Sequence, residues 1–258
     1  RQADAPTHAR SPRGPGGAES DPEPPKRFPF AGMGGAGMSA IAAVLQAMGH
    51  RVSGSDMRDS AVLTRIAAAG VQTKVGHDSD EIAGADAVAI STAIRETNPA
   101  VVAARAAGIP VLRRAEILSA ICARRSTIAV AGTHGKTTTT SMLSLILVEA
   151  GWHPSFIIGG DVGEIGGGGV WSTGEWFVVE ADESDGTFLA LPRKAAIITN
   201  VAADHLDYYG TYDAVRDAFA RFARETDGPV VVGDAADLTE LVGGNRNVVT
   251  FGLDASSR

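Results

Sequence analysis

Residues 131–140 read Ala-Gly-Thr-His-Gly-Lys-Thr-Thr-Thr-Thr, between an apolar run (Ile128, Ala129, Val130) and an apolar-periodic segment over 142–148. That order predicts a strand, a glycine-rich loop and a helix. Such a loop turns successive backbone N–H groups and a helix N-terminus toward a phosphate. Lys136 is placed to reach outer phosphates, and the Thr137 hydroxyl to hold Mg²⁺. The spacing departs from the commonest phosphate loop, which needs a glycine where this chain has Val130. The expectation is an α/β chain that binds a nucleoside triphosphate.

The 258 residues give room for roughly two domains. A net charge of −7 argues against a nucleic-acid partner. No apolar run reaches the length of a membrane span, and the start lacks the apolar core of a secretory signal, so the expected compartment is the cytoplasm. The one cysteine, Cys122, lies among Ile117, Leu118 and Ile121 and reads as a buried thiol. Residues 1–27 hold six of the twelve prolines and no Val, Ile, Leu, Met, Phe, Tyr or Trp, which predicts a disordered tail. His8, His50 and His153 read as solvated.

From residue 28 to about 125, strand and helix patterns alternate: strands over 28–31, 51–55, 71–75, 87–90 and 109–112, helices over 39–48 and 61–69, and a third opened by Asn98-Pro99. Repeated strand–helix units predict a parallel sheet. Gly32-Met33-Gly34-Gly35-Ala36-Gly37 joins the first strand to the first helix as G-x-G-x-x-G, and Asp56 ends the second strand, where a ribose hydroxyl is often held. This signal fits a nicotinamide dinucleotide, a flavin or a UDP-sugar alike. Pro29 falls inside the first strand, where it removes a ladder hydrogen bond.

A second unit starts near Ser126. Beyond its phosphate loop, strands are expected over 156–158, 176–179, 195–199, 229–232 and 247–251, with a glycine-rich loop (Gly159, Gly160, Gly163, 166–169) after the first. The 176–179 strand runs into Glu180-Ala181-Asp182-Glu183-Ser184-Asp185, and the 195–199 strand into Asn200-Val201-Ala202-Ala203-Asp204-His205-Leu206-Asp207. Open α/β sheets bind ligands at the carboxyl ends of their strands, so both clusters point to the edge that carries Lys136. Two acidic clusters beside a phosphate loop predict a Mg²⁺ site. Arg113-Arg114-Ala115-Glu116 reads as a capped helix start.

The stretches GMGGAGMSAIA, GTHGKTTTTSM, EADESDGTFL and TNVAADHLDYYG, in this order from about residue 28 onward, resemble the motif set of the Mur ligases. The resemblance implies a Rossmann-like parallel-sheet domain for a UDP-sugar over 28–124 and a P-loop-type α/β ATP-binding domain over 125–258. It implies that the second domain is incomplete and that a closing carboxy-terminal domain is absent, so that the chain is a poor ligase alone. Within the family, the motifs are most similar to those of the ligases that join L-alanine to UDP-N-acetylmuramate with ATP and Mg²⁺. A peptide-recycling ligase on the same sugar nucleotide, or a non-catalytic nucleotide-binding relative, is the alternative.

The implied roles follow the motifs. Gly132, Thr133, His134, Gly135, Lys136, Thr137 and Thr138 would cradle ATP. Thr137 and Glu180 would hold one Mg²⁺, and His205 a second with Glu180 close by. Lys136, Glu180 and His205 would be catalytic, with Asp182, Glu183 and Asp185 of second rank. Gly34, Gly35, Ala36, Gly37, Met38 and Ser39 would bind the diphosphate and Asp56 the ribose, joined by His77, Ser91 and Thr92. Ala202 stands where relatives usually carry glutamate.

Overall fold

The protein, described by a computed structural model over residues 24–160, 168–243 and 247–252, is built on two sheets. Residues 1–23 of the tail expected over 1–27, with Gly163, Gly166 and Gly167, lie outside the described residues, and Arg27 belongs to the first strand rather than to a tail. The first half runs β1 (Arg27–Ala31), α1 (Ala36–Ala47), β2 (Arg51–Asp56), α2 (Ala61–Ala68), β3 (Gln72–Val75), β4 (Val88–Ile90), α3 (Pro99–Ala106), β5 (Val111–Arg113) and α4 (Arg114–Cys122). Its strands order as β3-β2-β1-β4-β5, all parallel.

The second half runs β6 (Ser126–Ala131), α5 (Lys136–Glu149), β7 (Ser155–Ile157), β8 (Gly169–Val170), β9 (Trp176–Glu180), β10 (Ala195–Ile198), α6 (Leu206–Tyr209), α7 (Tyr212–Arg224), β11 (Val230–Gly233), α8 (Ala236–Leu241) and β12 (Val248–Phe251). Its order is β12-β11-β10-β6-β9-β7-β8, parallel except for the β7–β8 pair. In each sheet the first strand in sequence is central, and the chain reverses its direction of travel beside it. Ligands of open α/β sheets bind at that switch point, and each glycine loop leaves from it.

Pro29 sits in the central strand without breaking it. Arg27 directs both of its peptide groups at Asp86, on the β4 side. Parallel pairing alternates sides, so Pro29 faces β4 as well. There the ladder begins only at Phe30–Ala89, and the missing N–H falls before it. Strand β5 begins at Val111, two residues later than its apolar run suggests. The Ile109 N–H closes the end of α3 on the Ala104 carbonyl instead.

Helix α3 opens as its Asn98-Pro99 signal requires, with Asn98 Oδ1 accepting from the Ala100 N–H at 3.0 Å. Helix α7 buries Val215, Ala218, Phe219, Phe222 and Ala223, one face at helical spacing, and Thr211 caps its start. Phe188 stacks on Phe222, with centroids 4.9 Å apart. The buried Arg193 guanidinium lies 4.0 Å over the same ring and donates to the carbonyls of Phe222 and Leu191. Helix α5 is inverted. It buries Thr140, Ser144 and Leu147 and exposes Met142, Leu145, Ile146 and Val148. Small inward side chains let it lie close on β9.

The largest apolar cluster runs without a break from Phe30 and Ile41 in the first half to Phe177 and Phe219 in the second. The halves also meet backbone to backbone. A side chain on Gly169 of β8 would overlap the Ala40 carbonyl and lie 2.9 Å from Ala40 Cα in α1. His50 is buried rather than solvated. Its Nδ1 accepts from the Lys26 N–H at 3.3 Å, and its ring packs edge-on against Phe28. Cys122 is buried, and burial pushes its thiol up to about 12. The folded chain is therefore expected to resist alkylation at neutral pH and to titrate one thiol only after urea unfolding; rapid native-state labelling would contradict this placement.

Candidate active site

The phosphate loop leaves β6 and is clipped to the end of β10. Asn200 Oδ1 accepts from the His134 N–H at 3.0 Å, and Asn200 Nδ2 donates to the His134 carbonyl at 2.8 Å. The Asn200 carbonyl accepts from the Thr133 N–H, and Thr133 Oγ1 accepts from the Ala202 N–H at 2.9 Å. His134 is thus held through both peptide groups. Gly132 has φ +137°, and a Cβ there would overlap the Thr199 hydroxyl and press on the Asn200 backbone at 3.0–3.1 Å. Gly135 (φ +82°) opens α5 with nothing within 4 Å of a Cβ and no side-chain cap. His134, Thr137 and Thr138 are exposed at this mouth.

Lys136 folds back over its own loop. Its ammonium donates to the Gly132 carbonyl at 2.7 Å, the Thr133 carbonyl at 3.3 Å and Glu183 Oε1 at 3.0 Å. Those three bonds use all its protons. Glu183 Oε2 lies 2.9 Å from the same nitrogen but out of line for a hydrogen bond, and is otherwise unpartnered. The Glu183 side chain is 1% exposed and that of Lys136 14%.

The Tyr209 hydroxyl donates to the Glu183 carbonyl at 2.6 Å, and burial pushes that phenol up to about 12. His205, in the left-handed region at φ 54°, brings Nε2 within 3.8 Å of Glu183 Oε1. The carboxylate beside the imidazole is therefore Glu183, where the resemblance implies Glu180. A run of acidic residues carries no periodicity that tells which of them turns inward, which is why Glu183 ranks second from sequence.

Glu180 faces the other side of the loop. Its Oε1 accepts from the Thr137 hydroxyl at 3.1 Å and its Oε2 from the Gly159 N–H at 2.8 Å. Burial works to raise the Asp182 carboxyl, but the Ser184 amide and hydroxyl, with Arg114 and Lys136, outweigh it and hold it below the usual range. Asp185 is engaged by the Thr187 amide and hydroxyl. Among the described residues, no three His, Cys, Asp or Glu side chains form a metal cluster by themselves.

The first glycine loop faces this site across a cavity of about 630 Å³ that reaches from Asp56 and His77 past Gly35 and Gly37 to Glu180 and Asp182. The Gly34 N–H donates to Asp56 Oδ2 at 2.8 Å, so Asp56 braces the loop. Gly35 and Ala36 are exposed, whereas Met38 and Ser39 are buried. The Ser39 hydroxyl is spent on the Ala36 carbonyl. Ser91 packs beneath Gly32, and Thr92 lines the cavity. His77 Nδ1 meets the Ser55 hydroxyl at 2.8 Å.

The capped start of α4 is present, with Glu116 Oε2 accepting from the Arg113 N–H at 2.7 Å. Sequence alone misses what Arg114 does there. Its guanidinium crosses to the second half, 3.5 Å from Asp182 Oδ2, with Nε buried beside Gly37 and unpartnered. Nothing in a paired arginine marks such a reach.

Comparison with known proteins fits this geometry. The family model described as Mur ligase family, catalytic domain, matches residues 27–126, and that of the Mur ligase middle domain matches 130–258. UDP-N-acetylmuramate–L-alanine ligases of Sinorhizobium fredii and Rhodopseudomonas palustris are 46% and 47% identical over 228 residues, each covering 86% of this chain and 49% of the relative. The chain thus spans about half the length of the curated relatives it matches. The crystal structure of UDP-N-acetylmuramate-alanine ligase from Thermotoga maritima superposes with TM-score 0.80 at 33% identity, over 89% of this chain and 53% of that one. UDP-N-acetylmuramate:L-alanyl-gamma-D-glutamyl-meso-diaminopimelate ligase from Neisseria meningitides gives TM-score 0.80 at 28% identity, over 88% and 78%.

Proposed function

We propose, from the premise that this chain belongs to the Mur ligase family, that it serves an ATP-dependent ligase joining L-alanine to the carboxylate of UDP-N-acetylmuramate in peptidoglycan precursor synthesis. The observation that carries this reading is that the first glycine loop, braced by Asp56, opens on a cavity whose far wall includes Glu180, the carboxylate that accepts from Thr137 of the phosphate loop, itself braced by Asn200. One loop suits a diphosphate, the other a triphosphate, and the gap between them is lined by carboxylates that favour a cation.

The residues fit these groups. The open space at Gly135 and the uncapped start of α5 leave backbone N–H groups free to take phosphate oxygens. Thr137 and Glu180, already in contact, would hold one Mg²⁺, with His205 as donor to a second. A magnesium ion usually completes its shell with substrate phosphates and water, so one hydroxyl and one carboxylate suffice from the protein. ATP, when bound, supplies the phosphoryl group that converts the substrate carboxylate to an acyl phosphate, from which the alanine amine displaces phosphate. Lys136 provides positive charge at the outer phosphates, and Asn200 keeps the loop from yielding as they load. The alanine-adding reading is preferred to the tripeptide-adding one because identity is higher to the former structure, at equal TM-score.

Calorimetric titration of ATP with and without Mg²⁺ tests this reading. Thr137→Val should weaken Mg²⁺–ATP by about tenfold and leave metal-free ATP nearly unchanged, since one charge-assisted contact is lost. Equal losses in both titrations would remove Thr137 from the metal site. Failure of the unaltered chain to bind either ATP or UDP-N-acetylmuramate would overturn the reading.

A further inference from the structure

Glu183 is the most deeply buried carboxylate among the described residues, and the proposed reaction gives it no part. It lies three residues past the end of β9. Strand β9 pairs in parallel with β6, whose loop carries Lys136, so the acidic turn comes to rest against the phosphate loop. The turn is pinned there through its main chain. The Glu183 carbonyl accepts from the Tyr209 hydroxyl at 2.6 Å and from the Gly186 N–H at 3.1 Å. The carboxylate is less well served. An ionised carboxylate has room for about four donors. Here Oε1 takes one, from Lys136 at 3.0 Å, and Oε2 is buried with none.

All three protons of the Lys136 ammonium are engaged, two on carbonyls of its own loop and one on Glu183. A phosphate oxygen can reach this ammonium only by displacing one of the three. The carbonyls of Gly132 and Thr133 are neutral dipoles that move with the loop. Glu183 is a full charge held by a different strand, of the same sign as a phosphate. The contest for the ammonium is therefore between carboxylate and phosphate. When the ammonium turns away the carboxylate stays buried, because its peptide is fixed by Tyr209 and Gly186. His205, the other group beside it, lies at 3.8 Å and is the proposed donor to a metal. Stranding a buried charge is strongly unfavourable, so a nucleotide that takes Lys136 does so against Glu183.

We propose that Glu183 is a positioning residue that occupies the Lys136 ammonium in place of an outer phosphate, so that it holds down the affinity for ATP and reclaims the lysine as ADP departs. The inference rests on the ATP reading of the phosphate loop. Glu183 touches no nucleotide and acts through Lys136. The gain to an enzyme that turns over is release, since the lysine has a partner to return to.

Calorimetric titration of ATP into the full chain and into Glu183→Gln tests this, with stopped-flow displacement giving the rate of ADP release. Glutamine keeps the size and an acceptor oxygen but leaves no charge to be stranded. ATP should bind about tenfold more tightly to Glu183→Gln than to the unaltered chain, and ADP should leave about tenfold more slowly. A carboxylate that merely shaped the loop would move both values the other way, because its loss would loosen the loop. Unchanged or weaker ATP binding by a folded Glu183→Gln chain, or ADP release that is no slower, overturns the inference and leaves the ATP reading standing. So does a ¹³C carboxylate signal of Glu183 that stays in place when the unaltered chain is loaded with ATP, because its ammonium should then have departed. That spectrum decides if Glu183→Gln is misfolded by circular dichroism. Should the unaltered chain bind no ATP, the reading fails and takes the inference with it.

Discussion

A Lys136→Met chain should lose about 3–5 kcal/mol of stability in urea, in addition to losing its affinity for triphosphate. The stability loss follows from Glu183. Its carboxylate is 1% exposed, and Lys136 is the cation against it, with His205 farther off at 3.8 Å. Removing the ammonium leaves a buried charge without compensation, the costliest way to break an ion pair. Replacing both partners by apolar groups avoids that penalty. The double variant Lys136→Met/Glu183→Leu should recover most of the lost stability while triphosphate affinity stays absent. The two functions of the lysine would then separate in one experiment. A single variant as stable as the unaltered chain, or a double variant no better than the single, would show that the pair does not behave as a buried one.

The second large effect is expected at Gly132. Its φ of +137° is one that side chains rarely adopt, and a Cβ would meet the backbone of Asn200, which cannot rotate aside. Gly132→Ala should cost about 2–4 kcal/mol and shift the loop off Asn200, which holds His134 on both sides. With two or more phosphate contacts misplaced, ATP affinity should fall on the order of a hundredfold. Gly135→Ala is the informative control. Its φ is also positive, but the space beside it is open, so only the left-handed penalty of about 1–2 kcal/mol applies. Equal effects at the two positions would remove Asn200 as the wall that makes Gly132 obligatory.

Both glycine loops were legible in the sequence because a strand, a turn that demands glycine and a helix leave a joint local signature. The same holds for Asp56 at the end of β2 and for the Asn98-Pro99 start of α3. What escaped depends on direction rather than pattern. Glu180 and Glu183 are three residues apart in one acidic turn, yet one opens to Thr137 and the other lies beneath Lys136. Arg114 reads as helix-start chemistry until its guanidinium is seen beside Asp182. Pro29 reads as a fault in a central strand, and the alternation of parallel pairing places its missing donor where no ladder yet exists. The outward apolar residues of α5 match any buried helix in spacing, and only the small Thr140 and Ser144 against β9 reveal which side faces in.

The contact between Gly169 and Ala40 makes the join between the halves a rigid one. Where two layers meet through side chains, rotamers can shift and the layers can slide. Here main chain rests on main chain, with no atom between them free to give. The first glycine loop opens the helix on one side of that contact, and the phosphate loop leaves the sheet on the other. That contact ties the helix behind the first loop to the edge of the second sheet with no side chain between them. A sugar nucleotide on the first loop would then meet a triphosphate on the second across a gap whose walls are braced by main chain.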